Sequence, residues 1–191
     1  MNKQYGIVFL LGIALFFQNC GDTKQTKEEA SGSTNATAAT TDVPITDRLA
    51  ELGLNANNDW RGVNLGDDFA EVKSTEKAEL FENDEKHAGY TVEFKNLESA
   101  DMLYYQANQK VSAIEVDLYL NSRPSVDGFQ KDLGAYFNAR YGTGKPSGNG
   151  MVWTGPKGQS ILLKDVSKGK DFGLKISMES TGNGTATALA K

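Results

Sequence analysis

The chain has 191 residues, of which 20 are basic and 25 acidic, with one cysteine and one histidine. A single cysteine excludes an internal disulfide, and a single histidine excludes a metal site built from several histidines or cysteines. The net charge of −5 argues against a nucleic-acid binder, which needs a basic surface. We assign no metal and no other cofactor.

A short hydrophobic segment comes first, directly before Cys20. Lys3 precedes an apolar run from Gly6 to Phe17, which is the layout of an export signal. Twelve residues of helix rise about 18 Å, well short of the roughly 30 Å hydrocarbon core, so this run is a poor transmembrane span.

The four residues that end this segment, Phe17, Gln18, Asn19 and Cys20, stand in the places of a bacterial lipobox. The usual lipobox has an aliphatic residue and small residues before the cysteine, so the match is to a relaxed form. The chain resembles a lipoprotein precursor, which implies cleavage before Cys20, acylation of that residue and anchoring in the cell envelope, most readily the outer membrane. Two alternatives stay open: an incidental thiol beside an ordinary secretory signal, or an uncleaved anchor.

Composition divides the rest of the chain into a tether, one domain and a tail. Residues 20–44 are dominated by Thr, Ala, Ser, Lys and Glu and contain no aromatic residue, so we expect a disordered tether. About 24 flexible residues span roughly 25 to 30 Å. Residues 45–180 have the length of a single domain, and 181–191 predict a disordered tail.

The first half of the domain predicts one helix and three strands. Asp68 before Phe69 and Val72 indicates a capped helix over Asp67 to Lys77. Period-two patterns then predict strands at the three ranges Gly89–Phe94, Met102–Gln106 and Val111–Leu120, the last two joined as a hairpin.

The second half repeats that order. Apolar residues at three- and four-residue spacings predict a helix over Ser125 to Arg140, stopped by Gly142. Strands are predicted at Met151–Thr154, Ser160–Val166 and Phe172–Met178. The expected fold is α+β, with two helix-β-β-β repeats (about 60–120 and 121–180) and an antiparallel sheet that carries both helices on one face.

This order of elements, together with the export signal, resembles the small outer-membrane lipoproteins of the SmpA/OmlA type and the two-repeat β-lactamase inhibitor proteins. The matching residues are Leu65, Gly66, Asp67 and Val72 at the first helix, and Tyr141, Gly142 and Pro146 after the second. The resemblance covers about residues 60–178 and implies a domain that works by binding.

Candidate site residues are few. His87 lies in a polar stretch that indicates a solvated loop, so no catalytic triad is assigned. Trp60 and Trp153 are either core residues or exposed anchors for a partner or sugar ring. Tyr104 and Tyr105 are adjacent on one strand, so they point to opposite faces and one of them is expected to face solvent.

These observations favour a non-catalytic binding or scaffold lipoprotein whose partner is another envelope protein. One alternative is an inhibitor or immunity-type protein, which requires a concave sheet face lined by exposed Tyr and Trp. The other is a glycan or wall hydrolase with a carboxylate pair drawn from residues such as Glu93 and Glu115, which nothing in the sequence brings together.

Overall fold

The computed structural model describes residues 42–180 of the chain. The predicted signal, Cys20, most of the tether and the tail lie outside the described residues. The described part is α+β, and one antiparallel sheet of eight strands dominates it. The elements are α1 (Asp47–Glu51), α2 (Phe69–Thr75), β1 (Glu79–Asn83), β2 (His87–Glu93), β3 (Ser99–Ala107), β4 (Lys110–Leu120), α3 (Arg123–Tyr141), β5 (Lys145–Ser147), β6 (Gly150–Thr154), β7 (Gln159–Asp165) and β8 (Phe172–Ser180).

The strand order across the sheet is β1-β2-β3-β4-β8-β7-β6-β5. β4 and β8 therefore meet at the centre, while β1 and β5 are the two edges. Side chains alternate between two faces, and one face is apolar throughout. Residues that are paired from strand to strand form a row across the sheet. One such row on the core face consists of Tyr90, Met102, Val116, Ile176 and Leu163.

The long helix α3 packs against β6, β7 and β8 and supplies the other side of the core. Its buried residues recur at helical spacing: Val126, Phe129, Leu133, Tyr136 and Phe137. The Ser122 side chain caps its first turn, and Gly142 follows its last residue with a φ of 81° that favours glycine. The predicted helix over 125–140 is therefore confirmed, with slightly wider limits.

The first half of the sheet contains four strands where three were predicted. The missed strand is β1, whose five residues are all exposed, so no hydrophobic alternation marks it in the sequence. The short helix α1 was also missed. It is fixed to α3 through Asp132, which accepts hydrogen bonds from Thr46 and from Arg48 at 2.7 Å.

The second half likewise has four strands. The missed strand, β5, has three exposed residues, and it includes Pro146, a residue that normally argues against a strand. The prediction of three strands after each helix is thus wrong in both halves, and in both the strand overlooked is an edge of the sheet.

Candidate functional site

The second face of the sheet, called here the open face, carries mainly polar side chains. One row across it contains Thr91, Asp101, Asp117, Lys175 and Lys164. None of these five side chains is fully buried, and the buried residues of the three described helices belong to the core on the other face. The open face is therefore the side of the sheet that a partner can reach.

Lys175 lies at the centre of the open face, between two carboxylates on the neighbouring strand. Its Nζ is 3.1 Å from Glu115 Oε2 and 3.2 Å from Asp117 Oδ2. Burial alone would lower the pKa of Lys175, but the hydrogen bond to Glu115 and the charge of Asp117 outweigh it, so the pKa is raised and the ammonium stays charged.

Asp101 adds a third carboxylate to this cluster. It lies directly opposite Asp117 in the strand register, and like charges in that position repel each other. With Glu115 and Lys175, the cluster holds three carboxylates and one ammonium ion. Lys164 lies opposite Lys175 on β7, so the open face is acidic on its β3 and β4 side and basic at β7.

Three aromatic side chains lie on the open face, two of them beside this cluster. Tyr119 is 53% exposed, and Tyr105 is half-buried beside the His87 ring, with ring centroids 5.5 Å apart. Burial and the nearby carboxylates raise the pKa of both tyrosines, so their hydroxyls remain protonated donors at neutral pH. Phe81, on β1, is 49% exposed and lies over Gly89. Half-exposed aromatic rings beside charged groups are the residue types that carry much of the energy at protein interfaces.

His87 is the first residue of β2, so the prediction that it lies in a solvated loop is wrong. Its Nε2 is 3.2 Å from Glu82 and its Nδ1 is 3.2 Å from Asp84. Asp84 also accepts hydrogen bonds from the backbone of Lys86 and His87, closing the turn between β1 and β2. The histidine therefore tightens a hairpin.

Of the four residues considered for partner binding, three are buried. Trp60 and Tyr104 are fully inside the core. Trp153 packs at a tilted angle against Phe137, and its Nε1 donates to Asn138 at 2.8 Å. These three offer no surface to a partner, which favours the core interpretation of both tryptophans. Only Tyr105 reaches the open face, in agreement with the expectation that the two adjacent tyrosines point to opposite sides.

Sequence reasoning did not single out Tyr119 or Phe81. The signal for Tyr119 was available, because it occupies the polar side of the alternating pattern of β4 together with Glu115 and Asp117. Phe81 gave no such signal. It lies at a β-bulge, where the register between β1 and β2 shifts, and a bulge breaks the period on which prediction depends.

A buried ionic cluster lies on the opposite, core side. Arg61 donates to Glu76 through both Nε and Nη2, at 2.8 to 3.1 Å, and the Tyr104 hydroxyl donates to Glu76 at 2.7 Å. Burial would raise the pKa of Glu76, but these donors and the Ala78 amide lower it. Every oxygen of the carboxylate is paired, so the cluster has a structural role.

A polar cleft of about 360 Å³ lies near the carboxyl end of α3. Two of its charged groups are paired with each other, because Asp59 lies 3.5 Å from Arg140. Asp59 also accepts a hydrogen bond from the Tyr141 hydroxyl at 3.0 Å, and Arg140 donates to the carbonyls of Asn55 and Asn58. Burial, followed by the Asp59 charge, raises the pKa of Tyr141. These contacts hold the segment before Trp60 against α3.

The carboxylates named for a hydrolase do not form a pair. Glu93 lies on β2 and Glu115 on β4, with β3 between them. In the register, Glu93 is level with Tyr119, four residues from Glu115, so strand geometry separates the two backbones by about 16 Å. Glycoside hydrolysis requires roughly 5 to 10 Å. Within residues 42–180, no group of three or more His, Cys, Asp or Glu side chains is arranged to hold a metal ion.

The chain matches no protein-family model, no curated protein and no solved structure. Among the described helices, none is long and apolar enough to cross a membrane.

Proposed function

We propose that this protein is a lipid-anchored component of the bacterial cell envelope, and that its domain binds another envelope protein through the open face without catalysing a reaction. The observation that carries the proposal is the composition of that face. Tyr119 and Tyr105 provide hydroxyl donors and ring surface beside three carboxylates, two of which share the ammonium group of Lys175. A partner surface with exposed Arg or Lys would complement both features.

The lipid anchor is supported by the position of Cys20 directly after the apolar run. Triple acylation would hold the chain durably, since each buried methylene contributes about 0.8 kcal/mol. The first described residue, Asp42, follows 22 residues later. A flexible chain of that length spans roughly 25 Å, enough for the open face to meet a partner above the membrane surface.

The two-repeat architecture is part of the same proposal. Each half would consist of one helix followed by four antiparallel strands, α2 with β1–β4 and α3 with β5–β8. The strand order supports this division, because the last strand of each half lies at the centre and the first strand of each half at an edge. An experimental structure in which the two halves superpose strand for strand would establish it.

The anchor is tested by Cys20→Ala. Cells grown with an alkyne-tagged palmitate should label the wild-type protein and not the variant, and the variant should move to the soluble periplasmic fraction. If the variant stays in the membrane fraction at the wild-type level, the apolar run itself is the anchor and Cys20 has no part in it.

The binding face is tested by Tyr119→Ala combined with Asp101→Lys. Both side chains are accessible, so the fold should survive. Affinity capture from detergent-solubilised envelopes should recover a specific partner with the wild type and at least tenfold less with the variant. Leu97→Ala is the control, because Leu97 is 97% exposed on the turn between β2 and β3, outside the strands that form the open face. Equal recovery with all three proteins would refute the assignment of this face.

A further inference from the structure

The two edges of the sheet differ in their capacity to accept another strand. β5 has only three residues, and Pro146 at its middle has no backbone N–H to donate. Such features protect an edge from pairing. β1 has five residues, Glu79–Asn83, and no proline, and no described strand pairs with its outer side. Among the described residues, β1 is thus the edge on which a further strand can form backbone hydrogen bonds.

β1 also exposes two large apolar side chains. Leu80 is 45% exposed and Phe81 is 49% exposed. Leu80 pairs with Tyr90 of the core face, whereas Phe81, the next residue along the strand, points to the open face, where its ring lies over Gly89. A Cβ on Gly89 would lie 2.7 Å from that ring, so the glycine makes room for it. An edge that is merely protected by charge would not need apolar side chains on both faces, whereas an added strand would cover both.

The charge around β1 specifies the partner. Glu79 and Glu82 lie on the strand, and Asp84 and Glu85 follow in the turn, all of them exposed. β1 belongs to the acidic half of the described chain and lies at the edge of the sheet farthest from the other half. Residues 42–122 contain 17 acidic and 7 basic residues, whereas residues 123–180 contain 5 acidic and 9 basic ones. A second copy of the chain would bring β1 against β1 with like charges opposed, or against the proline-containing edge.

We propose that β1 is a docking edge for an extended basic segment of a partner protein, which adds to the sheet as a ninth strand. Backbone hydrogen bonds to β1 would supply affinity. Glu79, Phe81 and Glu82 lie on the open-face side of β1, and Leu80 lies on the other side. Lys or Arg side chains on the first side, alternating with apolar side chains beside Leu80 on the second, would supply specificity, and the aliphatic stems of the basic residues would cover the Phe81 ring. The inference rests on the proposed binding function but uses a different surface, the edge rather than the open face.

The test uses a fluorescein-labelled peptide of alternating Lys and Val, eight residues long, and the purified protein with its fold intact. Fluorescence anisotropy should show saturable binding, and amide chemical-shift changes in an NMR spectrum should be concentrated on Glu79–Asn83. Glu79→Lys with Glu82→Lys should weaken binding at least tenfold and should create binding of a Glu/Val peptide of the same length. Asp127→Lys with Asp171→Lys, two exposed acids in the other half, is the charge-matched control and should bind like the wild type.

A second peptide separates strand addition from simple charge attraction. A Lys/Val peptide that is N-methylated at alternate amides keeps its charge but cannot form the backbone hydrogen bonds of a β-strand pair. It should therefore bind at least tenfold more weakly than the unmethylated peptide. Equal binding of the two peptides, shifts spread over all acidic surfaces, or no binding would overturn the proposal. If the protein instead forms a dimer through β1 as its concentration rises, a second copy of the chain occupies the edge. Each of these results leaves the Cys20 and Tyr119 experiments free to succeed or fail independently.

Discussion

Removing Arg61 should show how strongly the core depends on the buried Arg61–Glu76 ion pair. The Arg61 guanidinium makes three contacts to Glu76 and donates to the carbonyl of Leu52 at 2.6 Å, and both side chains of the pair are almost fully shielded from solvent. Arg61→Met keeps much of the aliphatic stem but leaves the Glu76 carboxylate without its cation. Breaking a buried pair in this way costs about 3–5 kcal/mol.

The lower end of that range, about 3 kcal/mol, is expected here. Glu76 would still accept hydrogen bonds from the amides of Lys77 and Ala78 and from the Tyr104 hydroxyl. Urea unfolding followed by tryptophan fluorescence measures the change in the free energy of unfolding, since Trp60 and Trp153 are both in the core. Glu76→Gln and the double variant complete a double-mutant cycle. The loss of unfolding free energy in the double variant should be smaller, by about 1–3 kcal/mol, than the sum of the losses in the two single variants. A loss below about 1 kcal/mol for Arg61→Met, or strict additivity, would refute this account of the cluster.

The same cluster predicts a pH dependence. Folding lowers the pKa of Glu76 from its ordinary value of 4.5, so the unfolded chain holds this proton more tightly than the folded one. The stabilisation is therefore complete above about pH 4.5 and is lost as the pH falls through the folded pKa. The difference in unfolding free energy between wild type and Glu76→Gln should shrink over that acidic range, and a difference that stayed constant from pH 7 to pH 3 would contradict the shift.

Further changes test local geometry, each by the same unfolding measurement. Gly134→Ala, in α3 with open space at its Cβ position, should stabilise the protein by about 1 kcal/mol, and any destabilisation would argue against free space there. Gly144→Ala should instead destabilise by about 1–3 kcal/mol, because its Cβ would lie 2.6 Å from the Trp153 ring; a neutral result would mean that the ring moves freely. Leu97→Gly should stabilise by about 0.5–1 kcal/mol, since Leu97 has a φ of 64° and buries almost nothing, and a loss of stability would point to an unseen contact.

The central strands and α3 could be predicted because each buries one face and so leaves a period in the sequence. β4 alternates Ile114, Val116 and Leu118 with polar residues, and β8 lies beside it with the same pattern. The edge strands could not be predicted in this way. β1 and β5 each pair on one side only and bury no side chain fully, so no period of two develops in either.

The candidate site was predicted only in part, because burial depends on contacts far along the chain. Nothing near Trp60 in the sequence shows that it is enclosed, since the residues that enclose it come from distant elements of the core. For Tyr104 and Tyr105 local geometry was sufficient, because strand alternation fixes their opposite directions. The acidic cluster required the register of β3, β4 and β8, which brings Asp101 and Lys175 to one row although they are far apart in the sequence.

The separation of charge between the two halves links the open face to the β1 edge. The strand order joins the halves at β4 and β8, so Lys175 from the basic half meets Glu115 and Asp117 from the acidic half at the seam. β1 lies four strands from β8, which is about 19 Å at 4.8 Å per strand. That distance exceeds the Debye length of about 8 Å at physiological ionic strength, so basic residues beyond the seam cannot offset the charge of the edge. The open-face cluster and β1 are therefore each acidic through their own neighbouring carboxylates, and a basic partner would be attracted to both surfaces, with an association rate that falls as salt is added.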